Sequence, residues 1–167
     1  GRASARETAC RVVGGAVARQ YLCVAGIEVT AFISRIGSAS RQSASDPIEP
    51  LLAQVEEVRR EQDSVGGEVT CTCTGVPAGI GEPVAGKLHA MLAAAMTSIP
   101  GVKGVEFGDG FALSSRRGSE TVDIYVGTPG GIRTLTNHSG GIQGGISTGM
   151  PIDMRIAFKP TPTIARK

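Results

Sequence analysis

The sequence predicts one α/β or α+β domain in which helices pack on a β-sheet. In the first half of the chain helical patterns alternate with strand patterns, whereas the second half shows strand patterns and glycine-rich loops. The length of 167 residues suits one domain with a core and is short for two. We therefore expect residues 1–167 to form a single domain.

Composition narrows the class of function. Hydrophobic residues make up 41% of the chain and charged residues 19%, as is typical of globular proteins. Trp is absent and the net charge is +2, so neither base-stacking platforms nor a broad basic field for nucleic acid is expected. No apolar run approaches the ~20 residues that span a bilayer. Any anion site should therefore be local.

The cysteines and the N-terminal residues predict a reducing compartment. No basic stretch followed by an apolar run and a cleavage site is present, so reduced thiols in the cytoplasm are expected. Cys71 and Cys73 alternate with threonines and share one strand face, and no second Cys or His cluster has zinc spacing. We expect the pair to pack in the core and to bind no metal.

Residues 5–22 are predicted to form the first helix. Ser4 and Glu7 have the spacing of a capping box, and apolar residues recur behind them at helical intervals. Gly14 and Gly15 would each cost about 1 kcal/mol relative to Ala. We expect close contact with a neighbouring element to compensate, and hence burial of this helix on more than one side.

The remaining elements follow from periodicity and turn chemistry. Asp46 as N-cap and Pro47 at the first helical position predict the start of a second helix. Alternation of apolar and polar residues predicts the strands, and helical spacing predicts a third helix. The expected strands are 27–36, 68–74, 104–113, 121–126, 131–136 and 150–160, and the third helix is 84–98.

The start of the first helix is the first candidate site. Free N–H groups and the positive end of the helix dipole attract anions. Arg2 precedes the cap residue Ser4, and Arg6 and Arg11 follow along the helix. A phosphate or carboxylate site is one interpretation. The other is a capped helix with solvated arginines, in which Glu7 and Arg11 form an i,i+4 pair.

The glycine loop, NHSGGIQGGISTGMP at residues 137–151, is the second candidate. Its Gly-Gly steps permit close approach of the backbone to a flat or phosphorylated ligand. It is neither a Walker loop nor a dinucleotide fingerprint, and a plain hairpin loop is an equal alternative. His138 at its mouth is expected to be a structural hydrogen-bond donor, and His89 to be structural or exposed.

The last strand, DMRIAFKPTPT at residues 153–163, is the third candidate. Alternation places Arg155 and Lys159 on the face opposite the apolar one. Lys159 and the hydroxyls of Thr161 and Thr163 could hold a phosphate, and a solvated sheet face is the alternative. The chain has no Ser-His-Asp arrangement, paired-carboxylate motif or obvious nucleophile, so these residues alone name no reaction.

Taken in order, the motifs resemble the chorismate synthase family. The stretches GRASARETACRVVGGAV, EQDSVGGEV, GVPAGIGEPV, SIPGVKGVEFGDGF, RGSE, NHSGGIQGGIS and FKPTPTI occur in the family's order and near its spacing. The resemblance covers essentially the whole chain. It implies a sandwich of antiparallel sheets around a helical layer, here incomplete, and assembly as a homotetramer. Family members are about twice as long, so residues 1–167 are expected to be one partial, internal portion of that domain.

The resemblance implies a lyase of the shikimate pathway, which makes aromatic amino acids. The reaction is the anti-1,4-elimination of phosphate from 5-enolpyruvylshikimate 3-phosphate to give chorismate, and it requires reduced FMN. NADPH is implied as well if the relative is bifunctional. The implied location is the cytoplasm, or a plastid if a leader is missing.

The resemblance also assigns site residues. Arg6 is implied as an additional anion contact, and no catalytic residue is assigned, because the family's two histidines and its aspartate fall outside this chain. His89 and His138 occupy neither histidine position. Ala3 replaces a serine of the family pattern, and Pro100-Gly101 replaces a more usual pair. The implied flavin contacts are Arg2, Ala3, Ser4, Pro100, Gly101, Gly144, Lys159, Pro160, Thr161, Pro162 and Thr163.

The sequence is therefore compatible with three functions. The first is a partial FMN-dependent chorismate synthase. The second is a non-catalytic module of that family that binds flavin or phosphate or makes oligomer contacts. The third rests on the residues without the resemblance, and is a generic domain that binds a phosphorylated ligand.

Overall fold

The computed structural model describes residues 5–166 and confirms the expected mixture of helices and antiparallel strands. Short 3₁₀ helices cover Ala5–Glu7 and Gly110–Ser115. The other elements are α1 (Thr8–Val24), β1 (Glu28–Ile36), β2 (Ala39–Ser40), α2 (Glu49–Arg60), β3 (Gly67–Thr74), α3 (Leu88–Thr97), β4 (Val102–Phe107), α4 (Gly118–Thr121), β5 (Tyr125–Thr128), β6 (Gly131–Thr134), β7 (Ile142–Gln143), β8 (Ile146–Ser147) and β9 (Ile152–Phe158).

One antiparallel sheet organises the chain, with strand order β2-β1-β3-β9-β4. The strands β5 and β6, and likewise β7 and β8, form separate two-stranded hairpins. Across β3 and β9, Cys71 lies opposite Met154 and Thr70 lies opposite Arg155. Because successive side chains point to opposite faces, the sheet has one apolar and one polar face.

The core lies between the apolar face of the sheet and α3. Ile152, Met154 and Ile156 of β9 are buried, and Leu88 and Leu92 of α3 pack against the same cluster. Burial of such a side chain contributes about 1.5–3 kcal/mol. The central strands and α3 therefore form the rigid frame on which the candidate site is built.

Two helices begin later than the sequence predicts. The carboxylate of Asp46 accepts hydrogen bonds from the amides of Gln42 and Ser43, both at 2.8 Å, so it closes a loop instead of capping α2. The helix α2 then starts at Glu49. The third helix, expected from residue 84, starts at Leu88, because Lys87 has an extended backbone with ψ of 127°.

The predicted strand 104–113 was wrong in its second half, because two glycines turn the chain. β4 ends at Phe107, and Gly108 and Gly110 have φ of +56° and +53°, in the left-handed region that other residues avoid. The 3₁₀ helix Gly110–Ser115 follows. The stretch RGSE contributes α4, a helix that periodicity did not indicate.

The expectation that α1 is buried on more than one side is also wrong. None of its residues is buried, and a Cβ at Gly14 or Gly15 would meet nothing within 4 Å. The predicted pair of Glu7 and Arg11 is confirmed, at 3.0 Å. Among the described residues, no helix combines the length and the apolar character that a membrane-spanning segment requires.

Candidate functional site

The KPTPT segment, residues 159–163, leaves the sheet directly after β9 and lies against the turn that follows α3. The amide of Lys159 donates a hydrogen bond of 2.9 Å to the carbonyl oxygen of Gly101. Gly101 has φ of +88°, so glycine suits this turn. The structure thus brings Pro100 and Gly101 next to the KPTPT segment.

The other side of the KPTPT segment contacts residues 64–66, which the sequence reasoning assigned to no site. The hydroxyl of Ser64 donates a 2.6 Å hydrogen bond to the carbonyl oxygen of Thr161. A Cβ on Gly66 would lie 2.7 Å from the carbonyl oxygen of Phe158, so only glycine fits there. The motif EQDSVGGEV was the available signal, because it contains Ser64 and Gly66.

Lys159 keeps its positive charge available. Within residues 5–166 its ammonium forms no ion pair, and its Nζ lies 3.5 Å from the carbonyl oxygen of Pro160. The nearby carboxylate of Asp63 is engaged by Arg166 at 3.3 Å. Arg155, predicted to share a face with Lys159, forms an ion pair with Glu106 on β4 and is therefore not free to bind an anion. An anion at the KPTPT segment would therefore meet Lys159 as an accessible cation.

The beginning of α1 is tied to the same region. The guanidinium of Arg11 donates hydrogen bonds to Ser98, at 2.7 Å to Oγ and 3.1 Å to the carbonyl oxygen. Ser98 is the C-cap of α3 and stands two residues before Pro100. Arg6 is exposed in the 3₁₀ helix that precedes α1. The predicted contacts Arg2, Ala3 and Ser4 lie outside the described residues.

Gly144 lies at the opposite end of α3. It occupies the turn between β7 and β8, and the carbonyl oxygen of the next residue, Gly145, accepts a 2.8 Å hydrogen bond from the amide of Leu88. A helix of 10 residues rises about 15 Å. The structure therefore groups Pro100 and Gly101 with the KPTPT segment and places Gly144 about one helix length away.

An apolar cavity of about 510 Å³ adjoins the KPTPT segment. It extends between α2 and the apolar face of the sheet, and Phe158 and residues 64–66 contribute to its wall. A flat apolar ring system fits such surroundings, and the lining residue Phe158 directly precedes Lys159 in the chain. Its aliphatic lining consists of Ile33, Ile36, Val55, Val58, Val65 and Val69.

The glycine loop, residues 137–151, is fastened by two carboxylates that the sequence reasoning missed. Asp123 accepts hydrogen bonds from the amides of His138 and Ser139, at 2.8 and 2.9 Å. Asp109 lies 2.7 Å from Nδ1 of His138 and 2.6 Å from the guanidinium of Arg116. We call Asp109, Arg116 and His138 the His138 clasp. As predicted, His138 has a structural partner.

The other side chains singled out by the sequence lie in or beside the core. His89 lies edge-on to the ring of Phe107, with centroids 6.1 Å apart. Cys71 and Cys73 are free thiols that pack against the core cluster. A hydrogen bond between them, together with burial, raises the pKa of Cys73. Within the described part of the chain, no group of three or more His, Cys, Asp or Glu side chains could hold a metal ion.

Comparison with known proteins gives one consistent result. The family model described as chorismate synthase matches residues 1–167. Chorismate synthase of Porphyromonas gingivalis is 52% identical over an alignment that takes in 100% of this chain and 51% of the relative. That of Methanocella arvoryzae is 46% identical over 99% of this chain and 50% of the relative. A crystal structure of chorismate synthase matches with a TM-score of 0.87 at 33% identity, over 95% of this chain and 57% of the other. The chain spans about half the length of the curated relatives it matches.

Proposed function

The chain belongs to the chorismate synthase family, and from this premise we propose that it is the cofactor-binding part of a carbon–oxygen lyase. The proposed reaction is the anti-1,4-elimination of phosphate from 5-enolpyruvylshikimate 3-phosphate, which gives chorismate. This substrate carries a phosphate and two carboxylates, so it needs local cations and not a basic surface. The modest net charge of +2 agrees with that requirement.

The observation that carries the proposal is the arrangement around Lys159. Its backbone is fixed by Gly101, its neighbour Thr161 is fixed by Ser64, and within residues 5–166 its ammonium has no carboxylate partner. The fixed backbone limits the freedom that this segment loses when an anion binds, although the exposed side chain of Lys159 is still ordered in the process. The same arrangement around Lys159 would also serve a generic domain that binds a phosphorylated ligand.

The residues of the site fit reduced FMN, which we propose as the cofactor. Lys159 and the hydroxyls of Thr161 and Thr163 would hold its phosphate, and neither hydroxyl is engaged in a hydrogen bond within residues 5–166. The apolar cavity beside Phe158 would receive the ring system. When bound, reduced FMN supplies electron density transiently to the reacting substrate.

The chain's own contribution is binding. The aliphatic cavity wall offers apolar contact to the ring system, and Arg59, Asp63 and Glu68 line the same cavity. We assign no proton transfer to His89, which packs on Phe107, or to His138, which is held by Asp109. The proton-transfer groups of the proposed reaction are therefore sought outside this chain.

Anaerobic titration of the chain with reduced FMN tests the proposal. Lys159→Ala should weaken binding about tenfold or more, because a hydrogen bond to a charged group contributes about 1.5–3 kcal/mol. Arg19→Ala is the matched control, since Arg19 is exposed on α1 two turns beyond Arg11. Equal affinities for wild type and Lys159→Ala would contradict the site.

A second function, that of a non-catalytic module, is favoured by the exposed apolar surface of α1, which suits contact with another chain or segment. Addition of 5-enolpyruvylshikimate 3-phosphate after the flavin distinguishes the two. Chorismate absorbance with phosphate release supports the lyase, and flavin binding without turnover supports the module. Incubation of the chain with oxidised FMN and NADPH tests whether it also reduces the flavin, as a bifunctional enzyme would. A homotetramer and a cytoplasmic location remain proposals from family membership.

A further inference from the structure

The turn at residues 108–110 and the glycine loop contact each other through both backbone and side chains. The amide of Asp109 donates a 2.9 Å hydrogen bond to the carbonyl oxygen of His138, while the two side chains meet at 2.7 Å. A Cβ on Gly108 would lie 2.2 Å from that same carbonyl oxygen, and a Cβ on Gly140 would lie 2.2 Å from the amide nitrogen of Gly108. The loops therefore approach as closely as two backbones can.

The chemistry of the His138 clasp fixes which nitrogen carries the proton. An ionised carboxylate only accepts hydrogen bonds, and the guanidinium of Arg116 donates to the same Oδ2 atom of Asp109. Nδ1 of His138 must then be the donor. The imidazole is oriented by this bond, and its side chain is only 24% exposed. A fixed ring with a defined donor suits a structural task.

The position of the clasp shows what it orients. Gly141 lies three residues after His138, and its carbonyl oxygen accepts a 2.9 Å hydrogen bond from the amide of Thr148, which closes the base of the β7–β8 hairpin. The tip of that hairpin contains Gly144, and Gly145 meets the start of α3. A shift at residues 138–141 would therefore move the backbone of Gly144.

We propose that His138 is a positioning residue for Gly144, the flavin contact that the family resemblance implies at the other end of α3 from the KPTPT segment. Its Nδ1 hydrogen bond to Asp109 fixes the path of the glycine loop, and through it the backbone of Gly144. The imidazole takes no part in proton transfer. This inference rests on the proposed function, because Gly144 is a flavin contact only if the chain binds flavin.

Three variants of the chain separate positioning from acid–base chemistry. In His138→Asn the amide nitrogen occupies nearly the place of Nδ1, in His138→Gln it occupies nearly the place of Nε2, and His138→Ala removes both. Each variant is examined by amide hydrogen exchange over residues 138–145 and by anaerobic titration with reduced FMN. We expect His138→Ala and His138→Gln to exchange faster and to bind about tenfold more weakly, as loss of a charge-assisted hydrogen bond predicts.

His138→Asn should stay within about twofold of wild type in both measurements, since it keeps the donor to Asp109. Rescue by Gln and not by Asn would assign the role to Nε2 and overturn the proposal. Faster exchange without a change in flavin affinity would also overturn it, because His138 would then hold the loop without positioning a flavin contact. A wild-type chain that binds no flavin would remove the proposed function. The exchange rates would still decide whether Nδ1 holds the loop.

Discussion

Replacement of Asp123 by Asn tests how strongly one buried carboxylate holds the glycine loop. Asp123 accepts hydrogen bonds from the hydroxyl of Thr136 and the amide of His138 at Oδ1, and from the amide of Ser139 at Oδ2. An asparagine has a nitrogen in place of one oxygen. In either orientation of its amide, a backbone N–H then faces another donor and loses its acceptor.

The magnitude follows from the pKa of Asp123. Burial alone would raise it, but the hydrogen bonds from Thr136, Ser139 and His138 lower it from 3.8 to about 2. At about 1.4 kcal/mol for each pKa unit, the ionised carboxylate stabilises the folded state by about 2 kcal/mol. Because the folded pKa lies below the unfolded one, this contribution is present above pH 3.8 and is lost as the pH falls through about 2.

Urea denaturation of wild type and Asp123→Asn between pH 7 and pH 2 measures both statements. At pH 7 the variant should lose about 2–3 kcal/mol of unfolding free energy, since an amide left without an acceptor costs about 1–3 kcal/mol. The difference should shrink below about pH 4. Glu56→Gln on α2 is the control, because its exposed pair with Arg59 contributes at most about 1 kcal/mol. A difference that stays constant across this range would refute the reasoning.

Three glycine substitutions give further predictions. Gly14→Ala should raise the unfolding free energy by about 0.5–1 kcal/mol in thermal denaturation, because α1 gains helix propensity and a Cβ there meets no neighbour; a decrease would reveal a contact that covers this face. Gly108→Ala should cost well over 2 kcal/mol in urea denaturation and Gly144→Ala only about 1 kcal/mol, since both have positive φ but only Gly108 lies against another backbone. Equal losses would show that backbone conformation alone sets the cost.

Local patterns in the sequence were sufficient for most of the fold. The alternation in EVTCTCT predicted β3, and the last strand, expected over 150–160, is observed over Ile152–Phe158. The pair of Glu7 and Arg11 follows from helical spacing alone. These features depend on neighbours within one element, which the sequence displays directly.

The arrangement of the candidate site was beyond such patterns, because its contacts join distant segments. Ser64 meets Thr161 and Arg11 meets Ser98, each pair separated by more than 80 positions in the chain. No periodicity encodes which carboxylate reaches His138. The glycines that allow close approach were visible in the sequence, whereas the backbones that approach them were not.

The helix α1 shows why the site and the unburied surface of this chain are connected. Val13, Val17 and Tyr21 lie on one helix face and are 68%, 66% and 77% exposed. A helix of 17 residues is marginal in water on its own, and here its ends are held by Arg11 on Ser98 and by the turn after it. Burial of that face would add about 25 cal/mol per Å² to the stability of a helix that Arg11 already ties to Ser98, two residues before Pro100. We therefore expect burial of this face to stabilise α1 and, through the contact of Arg11 with Ser98, the turn that leads to Pro100.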